Sequence, residues 1–273
     1  MVTEAAPIDA PVATPLREIA RGVAWLVGTA MAVRFVETLV GRSPLGAALA
    51  GAVVVDLAMT RAGVRWDDRD TTKSKGSSSR MWRDIGIGVA SASALVLVPL
   101  VVAVIVGGAT IRLGSLSSTL VFGLLRSAAD GVRDELLYRG LPLYVAYRAG
   151  VSLPLAIGYA ALAGVTPLVL VERLSWEALL VSAAQGVLFA MLWVRTNAAW
   201  ASVSAHAAWF FLAGVGLRGA ILEVSWTSGM LAENGRIGGF PAITCTIVTI
   251  LLTVFLSKKL AKSSEAPHGH AAS

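Results

Sequence analysis

The chain has one cysteine, Cys245, among 273 residues. That excludes an internal disulfide and any cysteine-built metal cluster. It has three histidines, His206, His268 and His270, and the last two lie in a polar C-terminal stretch. Only His206 falls inside an apolar run. Charge is also scarce: 15% of residues are charged and 56% are hydrophobic, where a soluble domain carries about 25% charged residues. A soluble fold would leave several long apolar runs unburied. The chain reads instead as an all-α polytopic membrane protein. The net charge of +6 records Lys and Arg in loops on one side of a membrane, and does not point to nucleic acid. No internal repeat stands out. Residues 1–17 are rich in Ala and Pro and lack a basic start, so they read as a disordered cytoplasmic tail with no cleaved signal.

Eight apolar segments follow, expected to form one bundle of about eight transmembrane helices over residues 18–257. Their approximate limits are 18–40, 44–64, 84–111, 115–148, 152–171, 178–194, 198–215 and 240–256. A polar linker, 65–83, carries Lys73, Lys75 and three serines. Residues 258–273, with Lys258, Lys259 and Lys262, are expected to form a disordered basic cytoplasmic tail. Eight spans put both ends on one side. If that side is the cytoplasm, it receives Arg17, Arg21, the linker, Arg148, Arg195 and the terminal lysines. The far side keeps Arg42, Arg112, Arg173, Arg218 and Arg236. That asymmetry matches the positive-inside rule and places the chain in the plasma membrane, with the lipid bilayer as its first partner.

The fourth segment holds Asp134-Glu135-Leu136-Leu137-Tyr138-Arg139-Gly140 near its middle. A charge at that depth costs about 2.5–3.5 kcal/mol on insertion scales. Such residues must therefore pair, line a wet cavity or do chemistry. Glu135 and Arg139 are four apart and share a helix face, so they are expected to pair. Arg126, Asp130 and Asp134 form a second stripe, with Arg133 between the two. Arg34 and Glu37, three apart in the first segment, suggest another pair, and Asp56 is a further intramembrane acid. Pro142 lacks an N–H, so a kink is expected beside the cluster.

These residues resemble the CPBP intramembrane proteases, which include the type II CAAX prenyl endopeptidases and the bacterial Abi proteins. Their first motif is Glu-Glu-x-x-x-Arg, usually followed by Gly. Here it reads Asp134-Glu135-x-x-x-Arg139-Gly140. Their third motif, His-x-x-x-Asn, is met by His206 but ends on Phe210. The approach Arg195-Thr196-Asn197-Ala198-Ala199-Trp200 is similar as well, and the motif-bearing core spans 115–215. The second motif, Phe-x-x-x-His, has no histidine to complete it. Its best register is Tyr159 to Ala163, and the next register ends on Gly164.

The resemblance implies an intramembrane endopeptidase. Asp134 would be the general base for water, and His206 would hold that water or a metal. Glu135 and Arg139 would be a supporting pair. His206 and Asp134 are the only plausible metal ligands, and a zinc site needs three from the protein. Asp134 and Glu135 lie about 100° apart on a helix, which keeps both from turning to one centre. The missing histidine and asparagine leave a second reading open: a silent family member that binds a membrane protein or peptide through the old cavity. A third is a small transporter relaying protons through Arg34, Glu37, Asp56, Asp130, Asp134 and Glu135.

Overall fold

Long apolar helices dominate the chain. The computed structural model describes residues 15–69, 77–169, 175–227 and 239–264. Helix α1 spans Pro15–Val40 and α2 Pro44–Ala62. Ser43 starts α2 by accepting the Gly46 N–H at 3.1 Å, with Pro44 in the first turn, where its missing donor costs nothing. Helix α3 spans Ser77–Ile105. Helix α4, Ser118–Glu135, continues through a π-helical turn, Leu136–Gly140, into α5, Leu141–Arg148. Helices α6, Leu153–Val169, and α7, Trp176–Thr196, follow. Helix α8, Trp200–Phe210, ends in a second π-helical turn, Phe211–Gly216, and α9 spans Gly239–Ser264.

Among the described residues, α1, α2, α3, α7 and α9 are long and apolar enough to cross a membrane. Side chains such as Val27, Met31, Phe35 and Leu251 point outward, as lipid-facing residues do. The chain is a multi-pass membrane protein with an all-α fold.

Several expectations are corrected, and one lies at the C-terminal end, where α9 runs to Ser264, inside the expected disordered tail. The third span stops at Ile105. Gly107 turns the chain at a φ of +74°, and 109–113 pair as strand β1 (Ala109–Leu113) with strand β2 (Leu222–Trp226). This antiparallel ribbon pairs the backbone groups of the two strands with each other where the helices end. Ser77–Ser79, read as linker, open α3, and α1 begins at Pro15, inside the expected tail. Lys73, Lys75, Arg173, Arg236, His268 and His270 lie outside the described residues.

Helix α8 sits at the centre, packed against α3, α4 and α7. Two glycines let it approach. A Cβ on Gly131 of α4 would stand 2.9 Å from the Ala207 nitrogen, and one on Gly88 of α3 would overlap the Ala201 carbonyl. Close backbone packing of this kind is how membrane helices associate where lipid supplies no hydrophobic drive.

The start of α8 is clasped by residues 66–69. The Ala199 N–H donates to the Trp66 carbonyl at 2.7 Å, and the Asp68 N–H to the Asn197 carbonyl at 3.0 Å. Asn197 turns the corner at a φ of +48°, a conformation Asn tolerates better than most residues. The Trp66 indole lies 4.8 Å from that of Trp200 and donates to Asp56 at 2.6 Å. Arg69 reaches Asp67 and fully buried Asp84, each at 2.6 Å. Asp56 is thus committed to the clasp.

Candidate active site

Glu135 is fully buried and has three partners. Oε1 lies 2.6 Å from His206 Nδ1 and 3.2 Å from Arg139 Nη1, while Oε2 accepts from the Ser202 hydroxyl. The expected Glu135/Arg139 pair is present. Ser202 and His206 are four apart on α8, so one helix face delivers both to one carboxylate. Nδ1 is engaged with Glu135, so Nε2 is the ring nitrogen left for other work.

The His206 ring rests between two aromatics. Phe210 lies at 4.3 Å between centroids and Phe189 at 5.3 Å. The Arg139 guanidinium also stands over Phe189, 5.9 Å from the ring centre. Phe210 occupies the third-motif asparagine position and offers no hydrogen bond.

Asp134 is tied by Oδ1 to Arg133 Nε at 2.8 Å. Arg133 Nη1 in turn holds Glu37 at 2.8 Å and Asp130 at 2.9 Å. Arg34 pairs with Glu37 at 3.3 Å, as the sequence spacing suggests. One arginine therefore gathers three carboxylates from α1 and α4.

A cavity of about 520 Å³ joins these parts. Asp134, Arg139 and His206 are on its wall. The two adjacent carboxylates separate as their helical positions suggest. Asp134 faces the cavity, and Glu135 lies buried against His206 of α8. The cavity then runs toward the ribbon end of the bundle, past Pro99 and Pro167 to Val224 and Trp226 of β2. Each proline interrupts a helical hydrogen bond where the wall passes.

The second-motif position is occupied differently than the best register suggests. Gly164, not Ala163, lines the cavity. A Cβ at Gly164 would come 2.5 Å from Arg139 Nη2. The missing side chain makes room for the guanidinium.

Two participants escaped sequence reasoning. Ser202 carried a signal in its spacing from His206. Gln185, the chain's single glutamine, is buried on the cavity wall, and a lone amide in an apolar span is itself a signal.

The donor set does not fit a metal. Among the described residues no group of three or more His, Cys, Asp or Glu is placed to hold one. His206 also spends one nitrogen on Glu135, and zinc needs three protein ligands.

The cavity thus carries an acid on its wall beside a carboxylate-braced histidine. Residues 115–212 match the family model for type II CAAX prenyl endopeptidase Rce1-like proteins. Across that segment the chain is similar to the CPBP/CAAX-type intramembrane endopeptidases. No curated protein and no solved structure matches the chain.

Proposed function

We propose that the chain hydrolyses peptide bonds at membrane depth, with Asp134 as general base. One observation carries this reading: the first-motif acid and arginine share the wall of one cavity with the third-motif histidine. Asp134 takes a proton from water as the water oxygen bonds to the scissile carbonyl carbon. The carbonyl electron pair moves to oxygen, facing the positive charge of Arg139 and the ring of His206. When the C–N bond breaks, the proton passes from Asp134 to the leaving amine. Glu135 and Ser202 take no part in bond changes; they fix the His206 ring. The substrate is a membrane protein or peptide. The chain acts in the plasma membrane with both termini cytoplasmic, an orientation supported by its Lys and Arg distribution.

The test uses purified protein in detergent with a set of apolar peptides, read by mass spectrometry. Asp134→Asn keeps the shape and loses the basicity, so turnover should vanish while the melting temperature holds. Asp134→Glu should retain turnover. Equal product from wild type and Asp134→Asn would sink the assignment.

A second reading is supported by the ring stack of Phe210 on His206. It covers the histidine with an apolar face where the family has an amide. A silent cavity that binds a membrane-protein partner would show binding without turnover, unchanged by Asp134→Asn.

A further inference from the structure

Gln185 has a side-chain nitrogen with no hydrogen-bond partner among the described residues, although the residue is only 7% exposed. Buried amides are almost always paired, so an orphan on a cavity wall needs a reason. Its place on α7 supplies one. Phe189, four residues on, lies against both His206 and Arg139. Gln185 shares that face one turn nearer the ribbon end, and Ser182 extends the same wall. The amide therefore stands beside the path from the cavity's ribbon end to His206. Much of the surrounding wall, including Val96, Val181, Trp209 and Leu217, is apolar.

A hydrocarbon chain in this space would leave the amide unpaired. A peptide backbone would not, since it presents a carbonyl and an N–H at each residue. We propose that Gln185 is a positioning residue that hydrogen-bonds the backbone of an extended apolar peptide, one helical turn from His206. This rests on the peptide-cleaving reading of the cavity for its ligand class, but it requires binding only. Gln185 holds the chain in register past the Asp134/His206 centre and makes or breaks no covalent bond.

The test pairs stability with binding in full-length protein in detergent. Gln185→Leu keeps the bulk and removes an unpaired polar group, so it should melt at or above the wild-type temperature. It should also bind a dansylated Leu-Ala-Leu-Ala-Leu amide roughly three- to tenfold more weakly by fluorescence polarisation. Dansyl-dodecylamine, with no backbone carbonyls, should bind wild type and Gln185→Leu alike. Lower melting of Gln185→Leu would assign the amide a structural role and overturn the proposal. So would unchanged peptide affinity, an equal loss for the dodecylamine, or no saturable peptide binding by the wild type. Absent turnover with the binding pattern intact would overturn the catalytic reading alone.

Discussion

Arg139 and Glu135 form a pair that the sequence made legible, because four residues along a helix define one face. The third member was not legible. His206 lies 71 residues from Glu135, and no local spacing says which of two adjacent carboxylates it will meet. The resemblance set it beside Asp134; the bundle sets it on Glu135. Gly164 was hidden for a related reason. Its role is an absence, room for a guanidinium, and only packing reveals that. The pair itself can be tested without any substrate. Arg139→Ala leaves Glu135 buried with Ser202 and His206 but without its permanent cation. Removing one partner of a buried pair costs about 3–5 kcal/mol, so lower membrane accumulation and a lower melting temperature in detergent are expected. Wild-type values for both would contradict the pairing.

At the scale of elements, the break beside the cluster takes a different form from the expected kink. Leu141 donates its N–H to the Leu136 carbonyl, five residues back. Pro142 cannot serve the Tyr138 carbonyl, and a π turn spreads that loss over a wider ring of the helix. A second π turn follows His206, where the Leu217 N–H reaches the Leu212 carbonyl at 3.0 Å. Both helices that build the site thus loosen within a turn or so of it. The opposite end of α8 is held by the clasp at residues 66–69, whose pairing with Asn197 and Ala199 no periodicity announces. Asp67 in that clasp accepts from Arg69, which holds its carboxyl below the ordinary value of 3.8. A depressed acid contributes stability above its unfolded pKa and loses it as pH falls through the folded one. Asp67→Asn should therefore melt below wild type at pH 7, and the gap should close as pH drops below about 3.8. A gap that stays constant to pH 3 would remove Asp67 from the account.

For the whole molecule, apolar run length was a sound guide to the helices, since each span must bury its own backbone hydrogen bonds in lipid. It failed where the chain leaves that regime, at the ribbon. The ribbon matters because the cavity runs toward it, placing Val224 and Trp226 on the same wall as His206. Under the proposed orientation, with both termini cytoplasmic, the ribbon end lies on the far side of the membrane. The cavity should then communicate with the non-cytoplasmic face. Leu116, 78% exposed in the loop after β1, reports on that face, and Arg65, exposed after α2, reports on the other. The native Cys245 is fully buried and supplies a silent background. In intact cells a membrane-impermeant maleimide should label Leu116→Cys and spare Arg65→Cys, and lysis should expose Arg65→Cys. The reverse pattern would turn the bundle over and open the cavity to the cytoplasm. Labelling of both positions before lysis would end the eight-span arrangement, in which the single crossing by α3 puts the two positions on opposite faces.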